Sequence, residues 1–258
     1  MSRILVVGNY DVVSSKIVDA LLESKTPVEY SVGHCDALQR LRTRVFGIVI
    51  TSPDSSIEED LAFLEEMRRV RPAVKCIILA PSSTPDEVIA AMRARVFACF
   101  TAPFDHLAIA NIARTAASDS EWRDHIEVLT ARPGWVSVRA NCHMLTAERL
   151  LTFANELSSL LPRDIRKETI QALREILFNA LDHGAAFNAE QVLTITAIQT
   201  ARSVVFYVRD PGPGFRPDSL GPGQQYVGGY GLLLAKGIVN ELIYSDVGNE
   251  VLLIKYIA

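Results

Sequence analysis

REILFNALDHG, residues 174–184, decides how the second half of this chain is read. Its composition is helical, and Glu175, Asn179 and His183 recur in it every four residues. Residues four apart lie only about 40° apart around a helix, so Glu175 and Asn179 share a face and His183 continues the stripe. The apolar stripe of Ile170, Leu173, Leu177 and Leu181 runs on a neighbouring side. A carboxylate and an amide one turn apart can hold hydrated Mg2+, the amide through its oxygen and the carboxylate through water. The same carboxylate is placed to take a proton from a hydroxyl or a water. Taken alone, however, the stripe reads better as a solvated face of a helix that ends at His183-Gly184.

Two later elements change that balance. VVFYVRDPGPGF (204–215) ends a strand in Asp210, Gly212 and Gly214. An Asp at a strand end can accept from an exocyclic amine, and the glycines let the backbone turn close to a ligand. GGYGLLLAKGIVNEL (228–242) sets Gly229 and Gly231 before an amphipathic helix, whose first turn offers N–H groups and positive dipole to a phosphate. It fits neither the P-loop pattern nor the glycine fingerprint of a dinucleotide fold.

In this order and spacing the three elements resemble the ATPase domain shared by histidine kinases, gyrase and a class of heat-shock chaperones. Glu175 and Asn179 match the N box, Asp210, Gly212 and Gly214 the G1 box, and Gly229 and Gly231 the G2 box. The form E-x-x-x-N-A-x-x-H-G, the short interval from Gly214 to Gly229 and the ending VGNEVLLIKYI (247–257) are similar to anti-sigma-factor serine/threonine kinases. The resemblance implies an α/β sandwich of the histidine-kinase-like ATPase type over 135–258, with ATP and Mg2+ as cofactors. It implies Asn179 on Mg2+, Glu175 activating a hydroxyl, and Asp210 on adenine. His183, Gly212, Gly214, Gly229 and Gly231 would complete the nucleotide site. The substrate would be a Ser or Thr of a STAS-domain anti-sigma-factor antagonist, with a sigma factor as a further partner. Tyr230 stands where a basic residue is common in relatives, and Arg216 is the one cation of the lid segment 215–228. A nucleotide-sensing module without phosphotransfer is the alternative, as is a sensor-kinase-related ATPase lacking its phosphoacceptor histidine domain.

The first half reads differently. Apolar runs at 3–7, 28–32, 46–51, 75–80 and 97–101 alternate with helical patterns at 12–25, 34–43, 57–70, 85–94 and 105–117. Such alternation predicts a doubly wound five-stranded parallel sheet, flavodoxin-like. Its length of about 120 residues and its close, FTAPFDHLAIANI (100–112), resemble a response-regulator receiver domain. The groups that a receiver uses to take up phosphate are replaced at each point. Gly8 and Asn9 stand for the acid pair, Thr51-Ser52 for the phosphoacceptor, Ala80 for the hydroxyl and Ala102 for the lysine. Asp11 and Asp54 lie two residues out of register, which in an extended chain is about 6–7 Å. The reading is therefore a degenerate receiver-like domain over 1–120, for regulation or dimerisation, pairing two copies through 85–117. Residues 121–134 are predicted to form a linker helix, stopped by Arg132-Pro133-Gly134.

Charge and composition set the remaining bounds. The net charge is −4, and residues 1–120 hold 13 Lys/Arg against 15 Asp/Glu, as does the remainder. Neither half is basic, which argues against nucleic acid as a partner. The longest apolar runs fall far short of the ~20 residues that span a bilayer. The opening MSRILVVGN has no signal-peptide layout, so the expected location is the cytoplasm. Cys35, Cys76, Cys99 and Cys142 form no CxxC pair and read as reduced core thiols.

Overall fold

The computed structural model describes residues 3–9, 11–118, 125–214 and 229–257. The chain folds as two compact units, 1–123 and 124–258. Unit 1 alternates strand and helix: β1 (Ile4–Val7), α1 (Val12–Glu23), β2 (Val28–Ser31), α2 (Gly33–Thr43), β3 (Ile48–Ile50), α3 (Ile57–Val70), β4 (Lys75–Ala80), α4 (Pro85–Arg93), β5 (Ala98–Thr101) and α5 (His106–Ser118). All strand pairs are parallel, in the order β2-β1-β3-β4-β5. This is the doubly wound order of flavodoxin-like sheets. Helices cover both faces, so the central strands β1, β3 and β4 are buried; β1 and β3 are apolar throughout, and β4 is apolar after its buried first residue, Lys75. Capping boxes fix two helix starts, Ser56 with Glu59 on α3 and Thr84 with Glu87 on α4.

The end of β3 shows what replaced the phosphoacceptor. Thr51 is buried, and its hydroxyl donates to Asp60 Oδ2 at 2.5 Å while accepting from Leu79 N–H at 3.1 Å. The Ser55 hydroxyl donates to Asp60 Oδ1 at 2.8 Å, and His34 Nε2 lies 3.6 Å from the same oxygen. Fully buried Asp60, on α3, thus ties β3 and the turn after it to its own helix. Asp11, the carboxylate nearest the lost acid pair, caps α1. Burial pushes its carboxyl up, but hydrogen bonds from the Ser14 hydroxyl and the Ser14 and Val13 N–H groups hold it below the usual range. Asp54 is exposed on the turn after β3. Replacing Asp60 by Ala takes the acceptor from the buried Thr51 hydroxyl and leaves Ser55 only its bond to Ser52 O. The expected cost is about 2–3 kcal/mol, read as a lower urea midpoint of the full chain.

Unit 2 has the strands β6 (Ile126–Arg132), β7 (Trp135–Asn141), β8 (Val192–Gln199), β9 (Ser203–Arg209), β10 (Glu241–Tyr244) and β11 (Glu250–Tyr256). Its helices are α6 (Met144–Leu157), α7 (Arg163–Asn179) and α8 (Gly229–Ile238). The sheet order is β10-β11-β9-β8-β7-β6, and every pair is antiparallel, not mixed. The predicted linker helix is overturned over 126–132, where β6 pairs with β7 through the tight turn at Pro133-Gly134. Gly134 has φ +70°, a conformation that glycine adopts without strain. Residues 121–124 of the expected linker lie outside the described residues. Cys76, Cys99 and Cys142 are buried, whereas Cys35 is exposed, which corrects its reading as a core thiol. Among the described residues no helix is long and apolar enough to cross a membrane.

Candidate functional site

Helix α7 sinks Ala172, Leu173, Ile176 and Leu177 into the core and leaves Glu175 and Asn179 half-buried on another side. The expected apolar stripe holds at Leu173, Leu177 and Leu181, while Ile170 is only half-buried. The helix is anchored from outside the site. Arg174 pairs with both carboxylate oxygens of Glu148, at 2.8 and 3.0 Å, and Glu168 pairs with Lys255 at 2.6 Å. After Asn179 the helix widens into a π turn, Ala180–Gly184. Such widenings occur often at functional sites. His183, on this turn, is exposed and makes no hydrogen bond or ion pair to Glu175, Asn179 or Asp210. The structure therefore does not draw it into the cluster formed by the other residues.

Asn179 Nδ2 is buried and has no hydrogen-bond partner. An unpaired buried amide costs about 1–3 kcal/mol. Such a group is retained where a ligand satisfies it, and rotating the amide offers either its N–H or its oxygen.

Directly after α7, the π turn meets the end of β9. The Asp210 N–H donates to Asn249 O at 3.0 Å, and Asp210 Oδ1 accepts from Gly212 N–H at 2.7 Å. A Cβ on Gly184 would lie 2.5 Å from Asp210 Oδ1, and one on Gly212 would lie 2.7 Å from both Cα and O of Gly184. Three residues thus pack with no room for another carbon. Burial raises the Asp210 carboxyl above the ordinary value, against the lowering effect of the Gly212 N–H. Buried Cys142 is pushed up to about 11, by burial first and by the charge of Asp210 second. Gly214, at φ +78°, lies against the Val247 carbonyl, where a side chain would collide with backbone.

Gly229 opens α8, and Gly231 backs onto α7 so closely that a Cβ there would overlap the Glu175 carboxylate. The first turn of α8, with N–H groups that have no acceptor within the helix, is thereby brought beside Glu175. Lys236 sits in the last turn of α8, about 7 Å along the axis from Gly231, and is exposed. It is not at the phosphate-facing end. The lid segment 215–228, with Arg216, lies outside the described residues.

The structure thus gathers Glu175, Asn179 and Gly231 toward one end and Asp210, Gly212 and Gly184 toward the other, with Gly214 behind the latter. Gly184 and Cys142 were not singled out as site residues from sequence. Gly184 closes the E-x-x-x-N-A-x-x-H-G run, which could have marked it. Cys142 gives no such signal. No group of three or more His, Cys, Asp or Glu among the described residues could hold a metal by itself. Asn179 fits a cation bound chiefly by phosphate oxygens and water, as Mg2+ commonly is.

For unit 1 the similar solved structures are receiver domains and related proteins. A CheY-like response regulator receiver domain from Methanospirillum hungatei JF-1 is 16% identical, covering 46% of this chain and 94% of its own, with TM-score 0.41. The Vibrio cholerae chemotaxis response regulator CheY4 is 14% identical, with 45% and 98% covered and TM-score 0.40. A putative pilus assembly-related protein from Burkholderia pseudomallei is 24% identical, with 48% and 95% covered and TM-score 0.38. No curated protein matches the chain. Residues 136–255, nearly all of unit 2, match the family described as histidine kinase-like ATPase domain, which implies ATP as the ligand of the site built by α7, β9 and α8.

Proposed function

We propose that this protein is an ATP-dependent serine/threonine kinase of the anti-sigma type, acting on a STAS-domain partner. One observation carries the reading: a carboxylate, Glu175, stands one turn from the unsatisfied amide of Asn179 and against the first turn of α8. Binding ATP needs no base, whereas transferring its terminal phosphoryl group to a hydroxyl gains from one. The nine helical steps from Glu175 to Gly184 rise about 13 Å. That length lets an extended mononucleotide reach from Asp210, at the base, to Glu175, at the terminal phosphate. Glu175 accepts the proton of the partner's Ser or Thr as its oxygen bonds to the γ-phosphorus. The bond from that phosphorus to the β–γ bridging oxygen breaks, and ADP leaves. Asn179 would hold Mg2+, which when bound neutralises phosphate charge. Positioning and charge supply most of the catalysis in such transfers.

The test is transfer of γ-labelled phosphate from Mg-ATP to a Ser or Thr of the STAS protein encoded nearest this chain. Label on that protein is expected. ATP bound without label would leave the nucleotide-sensing module instead, a reading favoured by the placement of Lys236 away from the phosphate end.

The base pocket has its own test. Gly184 does not have positive φ, so Gly184→Ala carries no backbone penalty and acts by displacing the Asp210 carboxylate. ATP affinity is expected to fall roughly tenfold to a hundredfold, the range of a 1–3 kcal/mol overpacking, measured with a fluorescent nucleotide.

A further inference from the structure

Helices α2, α3 and α4 of unit 1 pack side by side, and their C-terminal ends share one edge of the parallel sheet. That edge is rich in arginine. Arg68 donates to Ala94 O and Arg95 O, and Arg71 donates to Leu41 O, so the three helix ends are stitched into one continuous surface. Arg40 and Arg44 are held there by Glu29, at 3.3 and 2.6 Å. Arg42, Arg69, Arg93 and Arg95 are exposed, and among the described residues their guanidiniums take no ion pair or hydrogen bond. Helix dipoles alone do not require this. Each helix end carries about half a negative charge, which one cation offsets. Of the acids nearby, Glu29 and Asp36 are taken up by Arg40 and Arg44, and Glu65 and Glu66 stand about one turn back on α3.

The opposite edge has the opposite sign. Asp54, Glu58 and Asp86 are exposed at the starts of α3 and α4, while Glu59 and Glu87 close the capping boxes. On α3 the two poles lie about 20 Å apart, beyond the screening length of about 10 Å at 0.1 M salt. They therefore act as separate patches. The arginine edge calls for a carboxylate-rich surface, since guanidinium forks pair carboxylates in bidentate fashion. A polyanion such as nucleic acid is disfavoured because the acids of this half outnumber its bases, 15 to 13. The complementary surface is present on the same molecule, at an edge that a single copy cannot fold back to meet.

We infer that copies of this protein associate head to tail through unit 1, the arginine edge of one against the acidic edge of the next. Such a contact is heterologous and leaves both outer edges free to extend. It does not depend on the nucleotide site, so failure of the kinase reading leaves it standing.

The test is sedimentation velocity of the full chain across protein concentration. At low salt the weight-average sedimentation coefficient is expected to rise with concentration, and at molar salt that rise is lost. The double variant Arg42→Glu/Arg69→Glu loses it at low salt, and so does Glu58→Arg/Asp86→Arg, with thermal midpoints confirming that both fold. Mixing the two variants restores association, because each then offers the charge that the other lacks. A monomer at every salt and concentration overturns the inference. So does self-association that both double variants retain, or a mixture that stays monomeric.

Discussion

Asp210→Asn is expected to weaken ATP binding by about a hundredfold or more while leaving the apo protein at least as stable as the wild type at neutral pH. One carboxylate oxygen already accepts the Gly212 N–H, so the other is the acceptor offered to the exocyclic amine of adenine. In the variant the amide oxygen keeps the Gly212 bond and the amide nitrogen faces the base. Donor then meets donor, and a pocket built to bind a polar group rejects a mismatch strongly. Guanine presents a carbonyl at the same position, so the ATP-to-GTP preference should fall along with the ATP affinity. Isothermal titration with both nucleotides reads the two effects. GTP preference that stays unchanged would remove Asp210 from the base pocket.

The stability half of that prediction follows from linkage. Burial raises the Asp210 carboxyl above its unfolded value of 3.8. Its contribution to stability is therefore full below 3.8 and is lost as pH rises through the folded value. At neutral pH the wild type carries a half-buried carboxylate, which Asn replaces without charge. Binding runs the other way. ATP affinity should fall as pH drops through the raised value of Asp210, because the protonated carboxyl is a poorer acceptor.

This opposition between stability and binding marks what the sequence could and could not reveal. Unit 1 was legible because parallel strands buried on both faces must be continuous apolar runs, and ILVV, IVI and the CIILA of β4 are such runs. The linker was misread because β6 is an edge strand with one buried residue, Ile126, and a bulge between Val128 and Thr130 that breaks its alternation. Ile126 and Leu129 then mimic a helical spacing. The Pro133-Gly134 that seemed to stop a helix turns a hairpin instead. In the site, Glu175, Asn179, Asp210 and the glycines could be picked out by type and order. Gly184 was not, although it closes the E-x-x-x-N-A-x-x-H-G run, since its importance lies in a contact with Asp210, 26 positions away. The π turn that delivers it has no signature in composition. His183 shows the converse: it keeps the spacing of the stripe, yet the π turn leaves it exposed.

Glu175→Gln should separate the two remaining readings of this pocket. Glutamine keeps the length and shape of the side chain, so the packing of Gly231 against α7 is preserved. It cannot take a proton. If Glu175 is the base, phosphotransfer to the STAS partner falls by about 10²–10⁴ in kcat. ATP affinity should stay within a few-fold of the wild type. A carboxylate beside the first turn of α8 competes with phosphate for the same N–H groups, so its neutralisation, worth about 0.3–1 kcal/mol, favours the nucleotide slightly. The pair of measurements leaves little room for ambiguity. Lost transfer with retained binding assigns the proton to Glu175. Retained transfer removes it from the chemistry. Loss of both would mean that the carboxylate holds α7 and α8 together, a role that the close approach of Gly231 makes physically reasonable and that a matching drop in thermal midpoint would reveal.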